Sequence, residues 1–379
     1  MADGLNLQHT AHRALLDTIT AQGRYRRLSG RSGVDFSSND YLGLSIAPRM
    51  QAAITDALAR GVPVGAGGSR LLRGNHAEHD ALESEAATFF GAQSALYFST
   101  GFAANAALFA SMPQRGDLIV FDELIHASVH EGMRLGRAET QAAVHNDVES
   151  FATVIRDWRA LGNRGRVWIV VETLYSMDGD TAPLPDLAAL ADANDAFLVI
   201  DEAHATGVFG PDGRGFGAHL VGRDNVIALY TCGKALGVEG ALLCGPAIVR
   251  EFLINYGRGF IFSTAPSPLM ASAVREALRI LADEPERRDA LALLVADARA
   301  RLGRFSNSTG ATQIIPVILG DDARAMAAAA AVQAAGYDVR GIRPPTVPAG
   351  TARLRVSITL NASHEDIAGL ADAIAAAIA

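Results

Sequence analysis

The chain has 379 residues, a formal net charge of −8, 49% hydrophobic residues and two cysteines, Cys232 and Cys244. That length accommodates two or three domains with a substantial core, and the acidic balance with scattered arginines argues against a general nucleic-acid binder. No apolar run reaches the roughly 18 residues that a membrane-spanning helix requires. The cysteines lack metal-type spacing and fit a reducing compartment. The start, Met1-Ala2-Asp3-Gly4-Leu5-Asn6, has no basic segment leading into an apolar one, so no signal peptide is expected and the expected location is cytoplasmic.

Along the chain, the first 30 or so residues read as a helix followed by an Arg-rich turn. From Ser94 a strand–helix alternation begins. Strand-like runs cover 95–98, 117–121, 167–171 and 196–201, with helices over 101–111, 126–135 and near 187–194 between them. Further strands are read at 226–230 and 240–244. Near-continuous apolar strands alternating with helices predict a buried, mainly parallel sheet. Past about residue 265 the pattern changes to long helices (266–282 and 288–302), a strand at 314–318, an Ala-rich helix over 325–335, a strand at 353–358 and a last helix over 363–378. The expected organisation is an N-terminal helix and turn (1–40), a large α/β domain (41–280) and a smaller C-terminal α+β domain (281–379).

Only one of the 33 Lys and Arg residues is a lysine, Lys234. A guanidinium stays protonated and delocalised, whereas a lysine amine can lose its proton and attack a carbonyl. Lys234 follows the apolar run Val226-Ile227-Ala228-Leu229, within Tyr230-Thr231-Cys232-Gly233-Lys234. Upstream, Leu198-Val199-Ile200 ends in Asp201. Ligands bind at the carboxyl ends of strands in open α/β sheets. A strand-end lysine and a strand-end carboxylate are what a pyridoxal 5′-phosphate (PLP) enzyme needs: an amine for the aldehyde and an acid opposite the pyridine nitrogen. At about 2.8 Å and an effective dielectric of about 20, that second attraction is on the order of 6 kcal/mol before desolvation. The alternative is a surface lysine without a role.

Other candidates are weaker alone. Ser99 to Asn105 joins a strand to a helix with small residues, leaving N–H groups for a phosphate or merely forming a capped turn. His126 is read either as a ring stacked on a pyridine or as a helix cap. With His130 it has helix-face metal spacing, but no third ligand follows. His204 is placed to reach a phenolic ring oxygen. Two decoys are set aside. Asp201-Glu202-Ala203-His204 spells a helicase ATPase signature, but no G-x-x-x-x-G-K-[ST] loop accompanies it. Gly213-Arg214-Gly215-Phe216-Gly217-Ala218 matches a dinucleotide fingerprint by letters, without the strand-to-helix context.

Taken in order, these motifs resemble the α-oxoamine synthases, PLP enzymes of aminotransferase fold type I, over nearly the whole chain. The matching stretches run from Asp35 to Gly43, Gly65 to Arg70, Ser99 to Asn105, Ser176 to Asp180, Asp201 to Gly207 and Thr231 to Gly237. The resemblance implies a large domain on a mainly parallel seven-stranded sheet. It implies that Lys234 joins PLP, Asp201 pairs with the pyridine nitrogen, His126 stacks on the ring and His204 meets its phenolic oxygen. Gly101, Phe102, Ser176 and Thr231 match cofactor contacts. Thr346, Arg355, Arg343 and Asn39 match substrate-side positions, a bidentate Arg–carboxylate pair being suited to an amino acid. The family also has an N-terminal arginine that meets substrate, and Arg13, Arg24, Arg26 and Arg27 all lie nearby. No metal is implied.

The stretch Ile342 to Arg355 resembles the branch that condenses L-alanine with a pimeloyl thioester in biotin synthesis, with Lys234 as the base. Rival readings are another acyl transfer to glycine or serine, or a fold relative that only binds. A homodimer is implied, with Phe262-Ser263-Thr264 reaching the neighbouring cofactor phosphate.

Overall fold

The computed structural model describes residues 9–28, 30–306 and 310–379; the stretch Met1 to Asn6, where no signal peptide is expected, lies outside them. Helix α1 (Thr10–Ala21) leads to the short strand β1 (Val34–Asp35) and helices α2 (Pro48–Ala59) and α3 (Ala77–Phe90). An alternation follows: β2 (Ser94–Phe98), α4 (Gly101–Ser111), β3 (Leu118–Asp122), α5 (Ala127–Leu135) and β4 (Glu139–Ala143). It continues with α6 (Val148–Ala160), β5 (Val167–Glu172), α7 (Leu184–Ala193), β6 (Phe197–Asp201), β7 (Val226–Thr231) and β8 (Ala241–Gly245). Helices α8 (Ala247–Tyr256), α9 (Arg258–Ile261), α10 (Pro268–Asp283) and α11 (Glu286–Leu302) come next. The chain closes with β9 (Ile314–Gly320), α12 (Asp322–Ala334), β10 (Tyr337–Asp338), β11 (Arg340–Ile342), β12 (Ala352–Ser357) and α13 (His364–Ile378).

Strands β2 to β8 form one seven-stranded sheet in the order β2-β8-β7-β6-β5-β3-β4. The ladders among β4, β3, β5, β6 and β7 are parallel, and β8 and β2 add antiparallel pairs at one side. The apolar runs are continuous because both faces are covered. In β5, Val167, Ile169 and Val171 point into one core cluster and Trp168 and Val170 into the other. Each fully buried aliphatic side chain of this kind contributes about 1.5–3 kcal/mol. Strand β4 went unread in the sequence. It is an edge strand, Glu-Thr-Gln-Ala-Ala, largely exposed, so no buried run marks it.

A second sheet, β11-β12-β9, is antiparallel. Its central strand, β12, is buried at every position. The N-terminal segment ties into this sheet's surroundings: β1 pairs in parallel with β10, and Ser357 donates to the Phe36 carbonyl at 2.9 Å. Residues 34–42 therefore run along the C-terminal sheet, and Tyr41 reaches His204 in the loop after β6.

Candidate active site

A cavity of about 750 Å³ opens where the two sheets meet, lined among others by Arg26, Asn39, His126, Ser176, His204, Lys234, Thr346 and Arg355. Beneath it, on the large sheet, lies a floor whose strand-end carboxyls Glu172 and Asp201 do not themselves line the cavity. Glu172 and Asp201 end adjacent parallel strands and stand opposite each other in register. Lys234 lies in the loop after β7, where Val238 donates to the Cys232 carbonyl and Gly237 to that of Lys234, both at 2.9 Å. Gly237 has φ +65°, and a Cβ there would fall 2.4 Å from the Ser45 nitrogen. The turn that presents the lysine thus requires glycine at this position.

Among the described residues, Nζ of Lys234 has no hydrogen bond or ion pair, although it lines the cavity. Burial lowers its pKa to about 8; Asp201 and Glu172 pull upward against this, and Arg355 adds to the lowering. About a tenth of the amine is therefore unprotonated at pH 7, far more than for an ordinary lysine, as a nucleophile or base requires. Burial, reinforced by Asp201, raises Glu172 to about 8. Sequence reasoning missed this carboxyl, since Glu172 reads as an ordinary strand end. Held protonated at neutral pH, it spares Asp201 a second negative charge alongside.

Asp201 is fixed on both oxygens: Oδ1 accepts from the Ala203 N–H and Oδ2 from Asn105 Nδ2, each at 2.9 Å. The same Asn105 nitrogen donates to Ser128 Oγ at 3.0 Å, and Ser128 Oγ lies 2.8 Å from His126 Nδ1. His126 is also the cap of α5, with Nδ1 accepting from the Ser128 N–H. The helix-cap reading of this residue therefore holds, and its ring also lines the cavity. Because Nδ1 accepts, the ring proton sits on Nε2. Burial lowers the pKa of His126 and drives that of His204 well below the ordinary value. His130 instead packs edge-on against Phe121 at 5.2 Å.

The opposite wall is assembled from distant segments. Arg355, buried on β12, donates from Nε to the Ser176 carbonyl (2.6 Å), from Nη1 to Ser357 Oγ (2.7 Å) and from Nη2 to Asn39 Oδ1 (3.1 Å). Two of its five N–H groups remain for a carboxylate. The Tyr41 hydroxyl bridges Asn39 Oδ1 at 3.0 Å and His204 Nδ1 at 2.7 Å. Tyr41, like Asn105 and Ser128, was not singled out from sequence, although it stands in the Ser-Ser-Asn-Asp-Tyr-Leu-Gly stretch.

The remaining expected residues divide. Gly101 opens α4 beside Thr231, where an added Cβ would stand 3.6 Å from Thr231 Oγ1. Phe102 is exposed. Arg343 is not brought to the cavity wall; its guanidinium lies against Met326 Sδ and the Tyr25 carbonyl, because β11 turns that side chain toward α12. Of the N-terminal arginines, Arg26 lines the cavity and reaches Thr346 Oγ1 at 3.5 Å, whereas Arg24 pairs with Asp322 and Arg27 lies over the Tyr25 ring. The fingerprint-like glycine segment instead wraps Glu202, whose carboxylate accepts from the N–H groups of Phe216 and Gly217.

This arrangement is that of a known enzyme class. The family model for aminotransferase class I and II matches residues 31–374, and the chain belongs to that family. Within it, the chain is 44% identical over 361 residues to 8-amino-7-oxononanoate synthase from Anaeromyxobacter dehalogenans, covering 94% of this chain and 89% of that protein, and it groups with the synthases of that name. A solved serine palmitoyltransferase variant from S. paucimobilis with bound PLP–myriocin superposes with a TM-score of 0.87 at 26% identity, covering 98% of each chain. The 8-amino-7-oxononanoate synthase of Francisella tularensis superposes with a TM-score of 0.77 at 26% identity, covering 91% of this chain and 97% of that one.

Proposed function

We propose that the chain is a PLP-dependent acyltransferase that condenses L-alanine with a pimeloyl thioester, releasing CO2 and the thiol and yielding 8-amino-7-oxononanoate for biotin synthesis. The observation that carries the reading is the unpaired Lys234 amine, the only lysine in the chain, facing the same cavity as His126, His204 and Arg355. The residues present fit PLP. Lys234 would bind its aldehyde, Asp201 its pyridine nitrogen, His126 its ring face and His204 its phenolic oxygen. Gly101, Phe102, Ser176 and Thr231 would be its further contacts. Once bound, the cofactor supplies an electron sink for a carbanion at the amino-acid Cα.

Arg355 holds the alanine carboxylate with its two remaining N–H groups, and Asn39 and Thr346 complete that side. Lys234, its pKa lowered to about 8, takes the α-proton of alanine. His126, neutral and protonated on Nε2, donates to the thioester oxygen as negative charge develops there. Arg26, at the cavity mouth, faces the far carboxylate of the pimeloyl chain. The location we propose is cytoplasmic; among the described residues no helix is long and apolar enough to cross a membrane.

The assembly we propose is a homodimer. Helix α1 buries none of its residues, and Leu15, Leu16, Phe102 and Phe262 are exposed. A second copy would cover these apolar side chains, with Phe262, Ser263 and Thr264 meeting the neighbour's cofactor phosphate.

An absorption titration tests the reading. With PLP the protein should gain a visible band that changes on adding L-alanine and again on adding pimeloyl-CoA, with 8-amino-7-oxononanoate identified by mass spectrometry. The absence of any visible band with PLP would defeat it. Product formed only from glycine or serine with another acyl thioester would move it to a different branch of the family.

A further inference from the structure

His145, in the loop after β4, stands between two carboxylates. Its Nδ1 lies 2.8 Å from Asp122 Oδ1 and its Nε2 lies 2.7 Å from Asp180 Oδ2. Asp122 is fully buried at the end of β3 and also accepts from the N–H groups of Leu124 and Asn146. An imidazole can donate to both partners only when both nitrogens carry protons. A neutral ring would turn one lone pair toward a carboxylate. Burial alone would lower the pKa of His145, but Asp122 and Asp180 override it and raise the value to about 10. The other titratable groups around the ring are Glu123, which accepts from the His145 N–H at 3.1 Å, Tyr175, packed edge-on at 4.5 Å, and Glu172 beyond Tyr175.

Asp180 ends a turn that borders the cavity. Tyr175 donates to the Asp180 carbonyl at 2.9 Å, closing the turn. Its far side is gripped by the C-terminal sheet. Arg353 pairs with Asp178, Thr312 Oγ1 donates to the Gly179 carbonyl at 2.6 Å, and Arg355 Nε donates to the Ser176 carbonyl at 2.6 Å. Gly179 has φ +70°, and a Cβ there would fall 2.3 Å from the Ile314 carbonyl oxygen. The turn is thus clamped from two sides, and the only large-sheet side chains joined to its Asp180 end among the described residues are His145 and Asn146.

We propose that His145 is a positioning residue, a clip donating to Asp122 and Asp180 that fixes the 175–180 turn and, through the Ser176 carbonyl, the Arg355 guanidinium. It touches neither substrate nor cofactor. It sets where the amino-acid carboxylate is received, a consequence that rests on the reading of Arg355 given above.

Two measurements on the full chain test this. In ring-15N-histidine protein without cofactor, with the His145 signals assigned by a His145→Gln variant, both ring nitrogens should stay protonated up to about pH 9. In Asp180→Asn, which keeps an acceptor but removes one charge, the same ring should titrate at least about one pH unit lower. With PLP bound, Asp180→Asn should raise the KM for L-alanine about tenfold while kcat changes less than about threefold. A wild-type ring that titrates near the ordinary value of about 6.5, or that keeps one nitrogen unprotonated at neutral pH, overturns the clip. An unchanged KM in Asp180→Asn with the ring titration shifted overturns the link to Arg355. Failure of the wild-type protein to develop a visible band with PLP would instead strike the cofactor reading, leaving the resonance result to stand by itself.

Discussion

The floor and the wall of the cavity are built on different principles. The floor takes Glu172, Asp201 and Lys234 from the ends of neighbouring strands and the loop beyond, held by a hydrogen-bonded ladder. The wall joins Arg355 to Asn39, partners 316 positions apart, through their side chains, with the backbone bond from Ser357 to the Phe36 carbonyl close by. A floor group is as rigid as its strand. A wall group is only as well placed as the contacts around it. Floor changes should therefore strike the chemical step, and wall changes the capture of substrate.

The sharpest way to break that contrast is Lys234→Ala. It should lower kcat by about 10³-fold or more. Borohydride reduction with PLP should label one site per wild-type chain and, apart from the terminal amine, none in the variant, because no second lysine exists. Asp201→Asn should follow, with kcat down about 10²- to 10³-fold and KM for L-alanine changed little. Arg355→Met tests the wall: KM for L-alanine should rise about 10- to 100-fold, the value of charge-assisted hydrogen bonds, with the smaller effect on kcat. If Arg355→Met mainly lowered kcat, floor and wall would not divide the work as described.

The smallest effect belongs to Glu172. At pH 7 Glu172→Gln should change turnover less than about threefold, since a neutral amide replaces a neutral acid. Its signature is in stability. The folded carboxyl is raised to about 8 from the ordinary 4.5. Between those values the folded chain holds a proton that the unfolded chain releases, so this group's contribution falls as pH rises from about 4.5 to 8 and is level beyond. Denaturant midpoints across that range should show a shallower decline for Glu172→Gln than for wild type.

Most of the floor was legible in the sequence because it rests on period and punctuation. Apolar runs ending in Asp201 and preceding Lys234 mark strand ends, and the glycines beside Lys234 mark the turn. Strand β4 escaped because an exposed edge carries no apolar run. Asn105 and Ser128, which link Asp201 to His126, escaped for another reason: each reads as a routine helix residue until α4 and α5 are packed together. Arg26 could not be told from its neighbours by letters, and Arg343, adjacent in sequence to wall residues, points elsewhere.

The sequence by itself determined six of the seven strands of the large sheet and the one amine able to form an imine, because burial and backbone geometry leave a local periodic trace. Tertiary structure alone decided which arginines face the cavity, that Glu172 is held neutral, and that His145 bridges two carboxylates. Those facts depend on distances between residues far apart in the chain and on how much water reaches them, and neither quantity is written in any single stretch of residues.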